Sequence, residues 1–108
     1  MIRLWGLMSC DTCRKALKAL QAAGKTAEIA DIREGLDRAR LACWIEGAGA
    51  EALINRRSAT WRGLSDAERG APPEALLFAH PTLVKRPVIE HDGRILVGWD
   101  GATQAALL

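Results

Sequence analysis

At 108 residues the chain is long enough for one buried core and too short for two independent ones. Its 49% hydrophobic and 26% charged residues exclude a disordered or fibrous chain. Fifteen Lys and Arg against thirteen Asp and Glu leave +2, too small a surplus for general nucleic-acid or membrane-surface binding. The opening residues Met1 to Gly6 lack an apolar signal core, and no run of 18 apolar residues follows. The expectation is a single cytoplasmic domain over 1–108, with no membrane partner and no direct nucleic-acid contact.

In chain order, Ile2-Arg3-Leu4-Trp5 is a short β-rich run ending at Gly6. A helical pattern follows from near Cys10, with Cys13, Ala16, Leu17 and Leu20 on one stripe and Gly24 as its stop. Ala27 to Ile32 reads as a second strand, so the first third predicts a βαβ unit with parallel strands. Between Leu36 and Phe78 the texture turns to Ala-rich helical patches, among them Leu41-Ala42-Cys43-Trp44-Ile45 and the stretch after Pro72-Pro73. Ser65 with Glu68 has the spacing of a capping box. We read this part, approximately 36–80, as a helical insertion within the domain. Val88 to His91 and Arg94 to Val97 then flank Asp92-Gly93, a two-residue type I′ hairpin signal, and Asp100 is placed to cap a last helix. The order βαβ, helical insert, ββ, α predicts an α/β chain with a thioredoxin-like fold and a mixed four-stranded sheet. In open sheets ligands collect beyond the carboxyl ends of the strands, which here is the loop carrying Cys10.

Three cysteines, two of them in Cys10-Asp11-Thr12-Cys13, are too few for a secreted disulfide framework. In a reducing compartment C-x-x-C points to redox or metal chemistry. At the start of a helix the Cys10 sulfur meets free backbone N–H groups and the positive end of the dipole, which lower a thiol pKa from ~8.5 toward ~3.5–7.5. That makes Cys10 the candidate nucleophile. Cys13, one turn on, is placed to resolve a mixed disulfide formed on Cys10. Two other readings stand beside this one. Both cysteines could be small buried apolar residues. A zinc site needs four ligands, and only Cys43, His80 and His91 could complete it, at no familiar spacing, so no metal is expected. Cys43 reads most simply as core, as do Trp5 and Trp61; Arg56, Arg57 and Arg62 taken alone read as a solvated basic face.

Together, Cys10-Asp11-Thr12-Cys13-Arg14-Lys15-Ala16, Leu53-Ile54-Asn55-Arg56-Arg57-Ser58-Ala59-Thr60-Trp61-Arg62, Lys85-Arg86-Pro87-Val88-Ile89 and Val97-Gly98-Trp99 resemble the ArsC/Spx family of arsenate reductase-like proteins, nearest its YffB-like branch. The resemblance implies a nucleophilic Cys10 and arginines that hold an oxyanion beside it. Arg57 matches the arginine of the family's Asn-x-Arg segment, Arg86 the arginine preceding a proline, and Pro87 the cis-proline that lies against the active-site cysteine. Thr12 is counted with them among the substrate-binding residues.

The implied activity is a small thiol-dependent reductase acting on an oxyanion or a glutathione-linked substrate. It implies glutathione as co-substrate, glutaredoxin or thioredoxin as partner, and no bound cofactor. The chain departs from the arsenate reductases in two places. Trp99 stands about where they keep a third arginine, so arsenate turnover is expected to be slow and the indole to offer a wall for a larger, partly apolar substrate. Cys13 gives it the C-x-x-C of Spx-type members. A Spx-like transcriptional regulator that binds RNA polymerase through a redox switch is therefore the alternative, set against a chain that ends at Leu108 without a basic tail.

Overall fold

The computed structural model describes all 108 residues. Along the chain run β1 (Ile2–Gly6), α1 (Asp11–Ala22), β2 (Ala27–Asp31), α2 (Arg38–Ala48), α3 (Ala50–Leu53), α4 (Ala59–Arg62), α5 (Asp66–Arg69), α6 (Pro73–Ala79), a 3₁₀ turn over Pro81–Leu83, β3 (Val88–His91), β4 (Arg94–Val97) and α7 (Gly101–Leu107). These elements fall into two compact units, one of Met1–Ile32 with Arg86–Leu108 and the other of Arg33–Lys85.

The first unit is the sheet. Its strand order is β2-β1-β3-β4, with β1 and β2 parallel and the other two pairings antiparallel. Because side chains alternate along a strand, register decides what lies on each face. Leu4 pairs with Ile29 on one side and Ile89 on the other, and Ile89 pairs with Leu96, which sets four apolar side chains in a row across the sheet. Ala16 and Leu20 of α1 and Leu107 of α7 close over the same cluster as Ile2, Leu4 and Ile89. Leu4, Leu20 and Ile89 are wholly buried, and each such side chain contributes about 1.5–3 kcal/mol. The stripe Cys13, Ala16, Leu20 is the buried side of α1, and Gly24 ends that helix in the left-handed region at φ 79°. Asp92 and Gly93 both have positive φ, as a type I′ turn requires, and Asp100 caps α7 by accepting from the Thr103 amide at 2.9 Å. On the opposite face Trp5 is buried and its indole N–H donates to Glu90 Oε1 at 2.8 Å, while the exposed Arg3–Glu28 pair adds little.

The second unit is helical. Leu41 and Trp44 of α2 and Leu77 of α6 are wholly buried, as are Leu53, Leu83 and Val84. Its helices are short and depend on caps. Asp37 accepts from the Arg40 amide at 2.7 Å, Ser58 accepts from the Trp61 amide at 3.1 Å, and Ser65 with Glu68 completes both limbs of the capping box that their spacing predicts. An isolated bridge between Ile54 and Val84, flanked by Asn55 N–H to Leu83 O and Lys85 N–H to Leu53 O, ties the segment after α3 to the last residues of this unit.

Three expectations need correcting. Cys43 is exposed: Leu41 and Trp44, three residues apart, take the buried side of α2 and turn Cys43 outward. Trp61 is only half-buried, with the guanidinium groups of Arg56 and Arg69 at 5.3 and 5.1 Å from its ring centroid, so part of the expected free basic face is stacked on an indole. Trp99 is half-buried and packs against the Ile2–Leu4–Leu107 cluster, so part of the indole expected as a substrate wall is core cover. No helix is long and apolar enough to cross a membrane.

Candidate functional site

The chain leaves β1 at Gly6 and turns within four residues, the Cys10 amide donating to Leu7 O at 3.0 Å. That turn delivers Cys10 to the N-cap of α1 in extended conformation, φ −85° and ψ 119°. Its carbonyl accepts from the Arg14 amide at 3.1 Å, the first bond of the helix. The sulfur makes no conventional capping hydrogen bond; what it gains from the helix end is electrostatic. Partial burial acts against a thiolate there. The Cys13 amide, the Cys13 thiol, the Thr12 amide and the charge of Arg86 act for it, and together they win, so the Cys10 pKa lies below the ordinary thiol range. Asp11, the nearest acid in sequence, is engaged by Arg14.

Cys13 lies in the opposite environment. It is fully buried, and burial pushes its thiol up to about 11. The Leu7 amide and Arg86 moderate the rise; the thiol's own hydrogen bond to Cys10 and the negative charge there add to it. One proton is thus held on Cys13 while Cys10 is freed of its own, and the two titrate as a pair.

Arg86 is half-buried and its peptide to Pro87 is cis. Pro87 is fully buried, and its carbonyl accepts from the Gly98 amide at 2.8 Å, which fixes the loop before β3 to the end of β4. Within the sheet unit, then, the structure gathers Cys10, Cys13, the Thr12 amide and Arg86; the Thr12 side chain itself is exposed.

Arg57 belongs to the helical unit. Its side chain is exposed, its amide donates to Asn55 Oδ1 at 3.1 Å and its carbonyl accepts from Arg62. It lines a pocket of about 580 Å³ with Glu51, Asn55, Arg56 and Lys85. Arg56 is committed there to Glu51 through two hydrogen bonds of 2.8 and 3.1 Å. No three His, Cys, Asp or Glu side chains gather as metal ligands.

Sequence reasoning misses two participants. Gly6 reads in the sequence only as the end of a strand, but a Cβ there would fall on the Cys13 sulfur. The Leu7 amide, which faces Cys13, belongs to the turn through Met8 and Ser9, and no side chain in the sequence announces a backbone donor.

The pair's asymmetry has a direct consequence. Iodoacetamide reacts with the thiolate, so at pH 6 mass-mapped labelling is expected to modify Cys10 well before Cys43 or Cys13. Because the Cys10 pKa is lowered, its labelling persists to lower pH than that of a free thiol and fades only as the pH falls through the folded value. Faster labelling of Cys43 or Cys13 below neutral pH would remove Cys10 from the nucleophile's role.

Comparison with known proteins gives the family and the fold. The family model described as the ArsC family matches residues 5–107. An uncharacterised protein of Haemophilus influenzae is 36% identical over 105 residues, 93% of this chain and 92% of that one. A solved structure described as the YffB protein superposes with a TM-score of 0.88 at 34% identity, covering 100% of this chain and 99% of its own. The solution structure of an arsenate reductase-related protein from Brucella melitensis gives 0.78 at 34% identity, over 97% and 92% of the two chains. The mixed sheet, the C-x-x-C at its mouth and a match over nearly the whole sequence lead to one assignment: the chain belongs to the ArsC family and has a thioredoxin-like fold.

Proposed function

We propose that this chain is a thiol-dependent oxidoreductase of the arsenate reductase-like type, with Cys10 as nucleophile and a glutathione-linked disulfide or an oxyanion as substrate. The observation that carries this reading is the split environment of the cysteine pair: a half-exposed Cys10 held toward the thiolate beside Arg86, and a buried Cys13 held as the thiol. The likeness to an arsenate reductase-related protein at 34% identity supports it.

On a mixed disulfide, the Cys10 thiolate attacks the glutathione sulfur, a Cys10–glutathione disulfide forms, and the substrate thiolate departs and takes a proton. Free glutathione then attacks the glutathione sulfur of that disulfide, so glutathione disulfide leaves and Cys10 returns to the thiolate; or Cys13, once deprotonated, attacks the Cys10 sulfur, glutathione leaves, and the resulting Cys10–Cys13 disulfide is reduced by two further glutathione thiols. The donor thiols are oxidised and the substrate is reduced by two electrons. Arg86 pairs with the anionic end of the substrate, and Arg57, through its match to the family's Asn-x-Arg segment, is assigned the same task. Thr12 and Pro87 border the nucleophile in this reading. Absence of the third arginine favours the glutathione-linked substrate over arsenate, a compact anion that needs charge on several sides.

Steady-state assays with glutathione as donor, on arsenate and on a small glutathione mixed disulfide, test this. The mixed disulfide is expected to turn over faster, and Arg86→Ala to lower kcat/KM by about tenfold or more, the loss of one charge-assisted hydrogen bond. No turnover of either substrate, or an unaffected Arg86→Ala, would overturn the reading.

A further inference from the structure

Gly6 ends β1, yet its φ is not in the left-handed region, so backbone conformation does not require glycine there. Space does. A Cβ built on Gly6 would fall on the Cys13 sulfur and lie 3.4 Å from the Cys13 Cβ and 3.9 Å from the Cβ of Arg86. A Cβ at Gly24, Gly49, Gly93 or Gly101 would meet nothing within 4 Å, and at Gly63 or Gly70 nothing nearer than 3.5 Å. The missing side chain is therefore sterically demanded at the position that faces the second cysteine.

The room left by Gly6 has a chemical use. The Cys13 sulfur is fully buried against the strand end, the next amide, that of Leu7, faces it, and its thiol lies within hydrogen-bonding reach of Cys10. A weak donor such as a thiol contributes only when it is held at the right distance. We propose that Gly6 is a positioning residue of the thiol pair: by lacking a side chain at the end of β1 it admits the Cys13 sulfur against the backbone, and so lets Cys13 act as hydrogen-bond donor to the Cys10 thiolate. Cys13 then serves the resting enzyme as a proton-holding donor, distinct from any later role as the resolving thiol. The inference rests on the reading of Cys10 as nucleophile and assigns a residue to it that carries no reactive group.

The groups that face the pair are few, which makes the test clean. They are the two thiols, Arg86, and the amides of Leu7, Thr12 and Cys13. None of these is altered chemically by a methyl group on residue 6. If Gly6 acts through Cys13, a Gly6→Ala chain must move the Cys13 sulfur, and Cys10 must lose the same donor that Cys13→Ala removes outright. When alanine stands at 13 there is no sulfur for the new methyl to displace, so Gly6→Ala should then have little further effect.

The experiment is the pH profile of Cys10 alkylation by iodoacetamide, mass-mapped, in wild type, Gly6→Ala, Cys13→Ala and the double variant. The expected result is that Gly6→Ala moves the Cys10 profile upward to about that of Cys13→Ala. The rate at pH 7 then falls several-fold, by about tenfold for every pH unit that the midpoint rises. The double variant should match Cys13→Ala. A folded Gly6→Ala with the wild-type profile, or a double variant displaced well beyond Cys13→Ala, would overturn the proposal. If Gly6→Ala does not fold, the double variant decides: recovery of the fold with the Cys13→Ala profile upholds the steric link, and failure to recover overturns it. A wild-type profile no lower than that of a free thiol would instead count against Cys10 as nucleophile, so the two failures are distinguishable.

Discussion

Replacing Cys10 by serine is expected to abolish turnover of any thiol-dependent substrate while leaving the fold as stable as before or slightly more so. The sulfur is replaced by a hydroxyl that stays protonated at any working pH, so the thiolate that the first-turn amides, Cys13 and Arg86 favour can no longer form. Removing a nucleophile in this way costs on the order of 10³-fold or more in kcat, leaving only what binding and polarisation supply. Stability should move the other way. Cys10 occupies the N-cap of α1 without a capping hydrogen bond, and serine is among the residues that form one, worth up to about 1 kcal/mol. Turnover and thermal melts of Cys10→Ser measure the two effects in one preparation. Cys43→Ser is the control, since Cys43 is an exposed cysteine of α2 and belongs to the helical unit. Retained turnover in Cys10→Ser, or a Cys43→Ser loss of similar size, would place the chemistry elsewhere.

Much of the sheet unit is legible in the sequence because its signals are local. Asp92-Gly93 takes positive φ at both residues, Ser65 and Glu68 close their box, and Ile2, Leu4, Cys13, Ala16 and Leu20 fall on buried faces by simple periodicity. The order β2-β1-β3-β4 is not legible, since it depends on Leu4 pairing with Ile89 from the far end of the chain, a contact no short pattern encodes. The same limit governs the site. A C-x-x-C at a helix start announces the chemistry, and Arg86-Pro87 enters only through family resemblance; the structure then brings the Arg86 charge to the pair. Gly6 carries the least signal of all, because what matters there is the volume occupied by the Cys13 side chain. Cys43 and Trp61 mislead for a shared reason. Hydrophobic neighbours suggest a core, whereas helix geometry buries Leu41 and Trp44 and turns Cys43 out, and the guanidinium groups of Arg56 and Arg69 stack on Trp61.

Trp99→Arg, the substitution that would restore the missing arginine of the arsenate reductases, is expected to destabilise the protein and not to create an efficient arsenate reductase. The indole packs on the cluster of Ile2, Leu4, Ala16, Leu20, Ile89 and Leu107. A wholly buried Trp→Ala costs about 3–5 kcal/mol; Trp99 is half-buried, and an arginine stem can cover part of the same surface while its guanidinium reaches for water, so about 2–3 kcal/mol is expected. For a chain of this size that lowers Tm by roughly 10–20 °C. The backbone at this point offers no compensation: the Trp99 carbonyl already accepts from Gln104 at 3.2 Å at the start of α7, so a movement of residue 99 would also disturb that helix. A new guanidinium on a loosened strand end cannot be held rigidly toward an anion at Cys10, and preorganisation is what gives such a charge its value. Thermal melts of Trp99→Arg and Trp99→Phe, paired with arsenate assays on each, separate packing from charge. The phenylalanine variant should lose much less stability than the arginine variant, and neither should gain appreciable arsenate turnover. A Trp99→Arg protein that melts with the wild type and reduces arsenate faster would show that the indole covers nothing essential and that the third arginine alone separates this chain from efficient arsenate reduction.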